Sequence, residues 1–224
     1  MHVEPTPTVR DGFRTGLPFL VPASALGVSF GVLAEPVMGG VAPVVMSIIV
    51  FAGGAQFAAL SALAGGAGPG AAITAGLLMN ARFLPMGVAI GPSLTGSRWM
   101  RMLKGQAVVD ASWALANRGG GRFEERILFG ATLAQGIGWI GGTLLGVIGG
   151  AAIAEPERYG LDAIFPAFYL ALLLEELRDG RAAVAAALGA AIALSLTPVA
   201  PPGVPVIAAS LAALLALVGR RRRS

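Results

Sequence analysis

The chain has 224 residues, of which 55% are apolar and only 12% charged, with a mean hydropathy of +0.76. Sixteen basic and twelve acidic residues leave a net charge of +4. There is no cysteine, which excludes disulfides and thiolate metal sites, and the one histidine is His2, so the apolar body has no imidazole for zinc or a proton relay.

The charges are segregated. None occurs from Thr15 to Ala34, from Pro36 to Ala81, from Ile127 to Ala154 or from Ala182 to Gly219. A soluble domain alternates polar and apolar positions with a period of 3.6 or 2. Uncharged runs of about 20 residues instead match a hydrocarbon core of ~30 Å at a helical rise of ~1.5 Å per residue. The expected fold is an all-α integral membrane protein, a bundle of about seven or eight transmembrane segments, some short or discontinuous. Hydrophobic segments fall at 15–34, 41–64, 70–92, 104–117, 127–153, 162–175, 182–197 and 203–219. They imply an N-terminal cytoplasmic segment over 1–14, one polytopic membrane domain over 15–219 and a basic cytoplasmic tail over 220–224.

In the first segment Ala23-Ser24-Ala25 has the small residues of a signal-peptide cleavage site. It lies inside the apolar run and further apolar segments follow, so the segment reads as a retained span. The second segment carries Ser47 and Gln56 around the pair Gly53-Gly54. Nine residues apart on a regular helix, at about 100° per residue, the two polar side chains point to opposite sides. A break at Gly53-Gly54 brings them to one cavity and frees backbone groups there; a glycine pair that merely admits a neighbouring helix accounts for the same residues.

The third segment contains Leu77-Leu78-Met79-Asn80-Ala81-Arg82-Phe83-Leu84-Pro85-Met86. A guanidinium at bilayer depth costs at least ~2.5 kcal/mol, so Arg82 needs a partner or a purpose. Asn80 and Arg82, two residues apart, do not share a helix face. Pro85 has no N–H, so the Ala81 carbonyl loses its helical partner and a kink is expected. That would group an amide, a guanidinium and a free carbonyl.

Residues 104–117 are too few to cross an average bilayer comfortably; they form a short tilted span or lie at the interface. If every segment spans, Arg98, Arg101 and Lys104 land outside, against the tendency of basic loops to stay in the cytoplasm. Asp110 heads a polar face there, with Trp113 and Asn117 at i+3 and i+7. It is the obvious counter-ion for Arg82, either as a structural pair or with a substrate or proton role. In the fifth segment Gly130, Ala134, Gly138, Gly142, Gly146 and Gly150 recur every four residues, and Gly27 and Gly31 make a shorter version in the first. Such small-residue ridges let helices approach closely, within one chain or between subunits. The acidic loop from Glu155 to Asp162 is expected outside, and the Arg220 to Arg223 tail inside as a topology signal rather than a nucleic-acid patch.

The block S-x-x-V-F-A-G-x-A-Q-F from Ser47 to Phe57, the N-x-R block from Asn80 to Arg82 and the Asp110 block with its aromatic-Ala-Leu follow-on resemble the AzlC family, the large subunit of bacterial branched-chain amino acid exporters. The early proline-glycine span and the Gly-rich segment with Trp139 fit in order and spacing, and the resemblance covers about residues 12–180. It implies export of valine, leucine and isoleucine, in some members methionine, across the bacterial cytoplasmic (inner) membrane, with a small AzlD-like membrane subunit as partner and coupling to the membrane potential or a proton gradient. Many relatives carry His where this chain has Phe83 and an acid where it has Ala111, which argues against proton coupling through either position; if protons move, Asp110 is the remaining candidate in these motifs.

As a secondary transporter with alternating access, the chain would use Arg82, or a half-helix N-terminus near Gly53-Gly54, for the substrate carboxylate. The Ala81 carbonyl, Gln56 or Asp110 would accept from the ammonium, and Phe51, Phe57 and Trp113 would bound an apolar pocket. With Ser47 and Asn80 these are the candidate substrate-binding or coupling residues; no metal or other cofactor is expected. A serine hydrolase is excluded because His2 is the only histidine and Lys104 the only lysine. Two alternatives stay open, a cation or proton antiporter subunit and the membrane permease subunit of a nucleotide-driven transporter, although the chain has no Walker motif.

Overall fold

The computed structural model describes residues 7–150 and 180–200 continuously, with isolated positions between and beyond them. The segments at 162–175 and 203–219, the acidic loop and the basic tail lie outside the described residues. Among the described residues the fold is all-helical, with one isolated antiparallel bridge, Asn117 to Phe123.

The core is a pair of long helices. Helix α1 (Val9–Gly16) leads through a single 3-10 turn into α2 (Leu20–Met38), a 30-residue unit apolar enough to cross a membrane. It starts at a capping box: Thr8 Oγ1 accepts from the Asp11 N–H and the Asp11 carboxylate accepts from the Thr8 N–H. Its partner is α9 (Glu125–Gly150), the second helix of that kind. The small-residue ridges are the seam between them. A Cβ on Gly27 would fall 2.4 Å from the Trp139 carbonyl oxygen, on Gly31 2.3 Å from that of Thr143, and on Gly146 2.3 Å from that of Val28. Backbone therefore lies on backbone, and the ridge is used within the chain. The pairings climb together, from Gly12 at Ile127 through Gly27 at Trp139 to Gly150 at Val32. The two helices are thus parallel.

Between them the chain does not simply cross back and forth. Helix α3 (Ala42–Ile49) descends from the end of the seam near Val147, and α4 (Gly53–Ala64) returns toward the same end. Phe57 of α4 meets Phe30 edge to face, while Ala59 and Ala62 pack with Met46 of α3 and Ala72 of the next helix. At eight and twelve residues, α3 and α4 are about 12 and 18 Å long, each near half a bilayer. Segment 41–64 is a helical hairpin that turns back. The break falls at Val50 to Ala52, one turn before the expected Gly53-Gly54, and Phe51 there has φ +44°.

Helix α5 (Pro69–Asn80) and α6 (Phe83–Ile90) form one bent path of 44°, interrupted at Ala81 and Arg82 where the kink was expected. It runs from the Gly150 end of the seam, where Ala72 packs beside Ala62, to the Glu125 end, where Ile90 packs on Leu128. The amphipathic α7 (Arg98–Gly105) follows at that end: Lys104 pairs with Glu125 and donates to the Thr95 carbonyl at 2.7 Å.

Segment 104–117 is not one helix. After α7 the backbone enters the bundle far enough for the Ala107 carbonyl to accept from Thr132 Oγ1 at 2.6 Å, two turns up α9. Helix α8 (Asp110–Ala116) then returns, and the Glu124 N–H bonds the Ala116 carbonyl at 2.9 Å. This is a second turn-back, from the opposite end to the first. It removes the conflict over Arg98, Arg101 and Lys104, which share one end of the bundle with Arg10, Arg14 and Arg126. The last described helix, α10 (Gly180–Leu196), is apolar and stops at Leu196, just before Thr197-Pro198.

Candidate functional site

Two polar centres lie among the broken helices. The first is the turn of the α3–α4 hairpin against α9. The break brings Ser47 and Gln56 together: Gln56 Nε2 donates to Ser47 Oγ at 2.9 Å. Trp139 Nε1 reaches both Ser47 Oγ (3.1 Å) and Gln56 Oε1 (3.0 Å). Thr143 Oγ1 donates to the Trp139 carbonyl at 2.9 Å, which uses its only proton. The 2.9 Å contact between Ser47 and Thr143 hydroxyls therefore has Ser47 as donor. Both Ser47 lone pairs and its proton are used. Ser47, Gln56 and Thr143 are fully buried, and a network so satisfied rigidifies its surroundings.

The aromatic side chains around this centre are packed rather than open. Phe30 and Phe57 meet edge to face with centroids 5.5 Å apart, and Trp139 stacks on Phe30 at 6.2 Å. Gly53 is the first residue of α4 and lies under the indole, where a Cβ would come within 2.8 Å of the Trp139 ring; Gly54 beside it is buried. Phe51 packs against the same cluster. Its positive φ is costly for a residue with a Cβ, on the order of 1–2 kcal/mol, and the surrounding packing holds it.

The second centre is at the α5–α6 break. Arg82 Nη2 donates to Asp110 Oδ2 at 2.9 Å, with side chains 32% and 58% exposed. Asp110 is the first residue of α8, where the helix dipole favours a carboxylate. The Arg82 guanidinium also lies 5.0 Å from the centroid of the Phe83 ring, which offers it a π face. Two buried polar atoms on the same elements have no hydrogen-bond partner among the described residues: Asn80 Oδ1, two residues before Arg82, and Trp113 Nε1, one turn after Asp110. One is an acceptor and the other a donor, and buried groups of this kind call for an explanation such as a bound solute. The Ala81 carbonyl corrects the expectation of a free acceptor: it takes the Leu84 N–H at 3.1 Å in a tighter turn.

Phe51, Phe57 and Trp113 do not bound one pocket. Phe51 and Phe57 belong to the cluster with Phe30 and Trp139, whereas Trp113 packs on Phe123 at 5.1 Å beside Ile90 and Leu128. Asn117 leaves the α8 face and caps the following turn by accepting from the Gly119 N–H at 2.8 Å. The two centres are tied by Gln106, whose Nε2 donates to the Ile49 carbonyl at 2.5 Å. Sequence reasoning missed Gln106, Trp139 and Thr143 as members of the site. A hydroxyl four residues after an indole, on the glycine face of a membrane-length helix, was the available signal.

An apolar helical bundle whose interrupted helices bear a charged pair is the build of an α-helical membrane protein. The family model described as AzlC protein matches residues 18–153, more than half of the chain, and the chain belongs to the AzlC family. It is similar to the branched-chain amino acid transport protein AzlC of Bacillus subtilis (strain 168), 25% identical over 183 residues, which cover 78% of this chain and 72% of that protein. It is 29% identical over 213 residues to an uncharacterized membrane protein of Archaeoglobus fulgidus, covering 91% of each. The inner membrane protein YgaZ of Escherichia coli (strain K12) is 26% identical over 203 residues, 83% of this chain and 80% of that protein. No solved structure matches the chain.

Proposed function

We propose that the chain is a secondary transporter that exports branched-chain amino acids across the bacterial cytoplasmic membrane, together with a small AzlD-like membrane subunit. The observation that carries this reading is the Arg82–Asp110 pair at a helix break, with the buried Asn80 Oδ1 and Trp113 Nε1 on the same elements lacking partners among the described residues. A zwitterion matches this set of groups. Its carboxylate takes Arg82 and the Trp113 N–H, and its ammonium takes Asp110 and the Asn80 carbonyl oxygen, so each charge of the pair exchanges its protein partner for a substrate one.

The membrane domain over 15–219 then contains seven or eight embedded segments, of which 41–64 and 104–117 enter and leave on one side. Interrupted helices whose broken ends meet inside the bundle are how many transporters build their substrate site. In this reading Ser47, Phe51, Gly53, Gly54, Gln56 and Phe57 hold the outer hairpin shut and act in coupling, while Asn80, Arg82, Asp110 and Trp113 bind substrate. The Glu125 end of the bundle, with Arg10, Arg14, Arg98, Arg101, Lys104, Arg118, Arg122 and Arg126, is cytoplasmic, and so are residues 1–14 and the 220–224 tail.

The test is efflux from cells loaded with a valine-containing dipeptide, with and without the small partner. Arg82→Ala is expected to abolish valine efflux while inserting normally. Unchanged efflux in that variant would remove Arg82 from the site.

A further inference from the structure

We propose that the cavity between α6 and α7 binds one anionic phospholipid, with its phosphate at Arg98 and Arg101 and the upper part of an acyl chain against Ile90, Leu94 and Val108. The cavity has a volume of about 420 Å³ and opens at the basic end of the bundle. Its floor is apolar and buried: Ile90, Leu94 and Val108 are 0%, 7% and 6% exposed. Room exists because Gly87 and Gly105 border it without side chains, and a Cβ on either would meet nothing within 4 Å.

The rim has the opposite chemistry. Arg98 and Arg101 line the mouth, and among the described residues neither takes part in a salt bridge. Arg101 Nη2 donates to the Gly91 carbonyl, which fixes its guanidinium over the opening and leaves other donors of the fork to a ligand. Helix α7 is built for an interface. Trp99, Met102 and Leu103 are 75%, 68% and 73% exposed on one side, and Arg98, Arg101 and Lys104 follow on the other.

The pairing of an apolar floor with an uncompensated cationic rim selects the ligand. A zwitterionic lipid such as phosphatidylcholine offers the same phosphate but brings a quaternary ammonium beside two guanidinium groups with no acid in the lining, and a free phosphate would leave the apolar floor uncovered. An amino acid would bring an ammonium into a cavity that no Asp or Glu lines. A phospholipid with an anionic headgroup satisfies both parts.

The inference does not depend on which solute the chain transports, and it is tested without a transport assay. The purified full chain in detergent is titrated with phosphatidylglycerol or phosphatidylcholine, and bound lipid is counted by native mass spectrometry. One retained phosphatidylglycerol, favoured about tenfold over phosphatidylcholine, is expected from two basic contacts. Arg98→Gln, at an exposed position, is expected to reduce that preference. Gly87→Leu, which fills the cavity and leaves the rim intact, is expected to abolish retention of either lipid. Equal retention of the two lipids by the unaltered chain, or full retention by Gly87→Leu, overturns the proposal. So does displacement by glycerol phosphate at the lipid's own concentration, which would mean an anion site with no role for the acyl chain.

Discussion

The Gln106 amide donates to the Ile49 carbonyl at 2.5 Å, joining the inner tips of two turn-backs that enter the bundle from opposite ends. Ile49 is the last residue of α3, so the carbonyl that Gln106 occupies is one the helix itself leaves unpaired. Gln106→Ala is expected to lose about 1 kcal/mol of stability, the net worth of such a bond. Transport should fall while the amount of inserted protein stays constant. Efflux per molecule, measured beside a thermal melt, checks both.

The charged pair separates binding from folding. In the double variant Arg82→Asp with Asp110→Arg the charges attract again, but carboxylate and guanidinium have exchanged helices. We expect the swapped protein to insert, to melt somewhat lower because a cation then stands at the N-terminus of α8, and to export no valine. Recovery of efflux would show that only the attraction between the two residues matters.

The network at Ser47 rests on the indole. Trp139→Phe leaves Gln56 Oε1 without its donor in a buried place, at a cost of about 1–3 kcal/mol. Thr143→Val removes the acceptor for the Ser47 proton and is expected to cost a similar amount. Melting midpoints of both variants, compared with that of Leu145→Ala on the exposed face of α9, measure the difference.

The glycine seam gives a contrast along a single helix. A Cβ at Gly146 would lie 2.3 Å from the Val28 carbonyl oxygen, whereas at Gly141 and Gly149 it would meet nothing within 4 Å. Gly146→Ala is expected to destabilise by about 1–3 kcal/mol or more, since backbone must move. Gly141→Ala and Gly149→Ala should be neutral or slightly stabilising, because alanine favours a helix over glycine by about 1 kcal/mol.

Sidedness is open to direct test because the chain has no cysteine. Single variants Arg10→Cys and Arg98→Cys are expected to react with an impermeant thiol reagent from the same face, and Gly68→Cys only from the other. Labelling of Arg98→Cys from the face opposite to Arg10→Cys, with Gly68→Cys on the Arg10 side, would mean that residues 41–64 and 104–117 both cross the membrane.

Much of this arrangement was legible in the residues. The lone charge Arg82 called for Asp110, Pro85 marked the break, and the four-residue glycine period gave the face that packs. Direction was not legible. Apolarity measures where a segment can reside, and 41–64 is as apolar as a crossing segment, yet it turns at Val50 to Ala52, where neither glycine nor proline marks the reversal. Segment 104–117 mixes an amphipathic interfacial helix with half a buried one, and its shortness alone did not say which end it came from. Trp139 and Thr143 were hidden inside a pattern read for its glycines.

The left-handed backbone of Phe51 bears on more than one hairpin. Were Val50 to Ala52 to continue as α-helix, the 23 residues from Ala42 to Ala64 would extend about 35 Å, long enough to reach the opposite face. Each later segment would then begin on the wrong side, and the basic end would no longer gather in one compartment. A single residue's dihedral angle thus acts as a parity bit for the topology of everything that follows it.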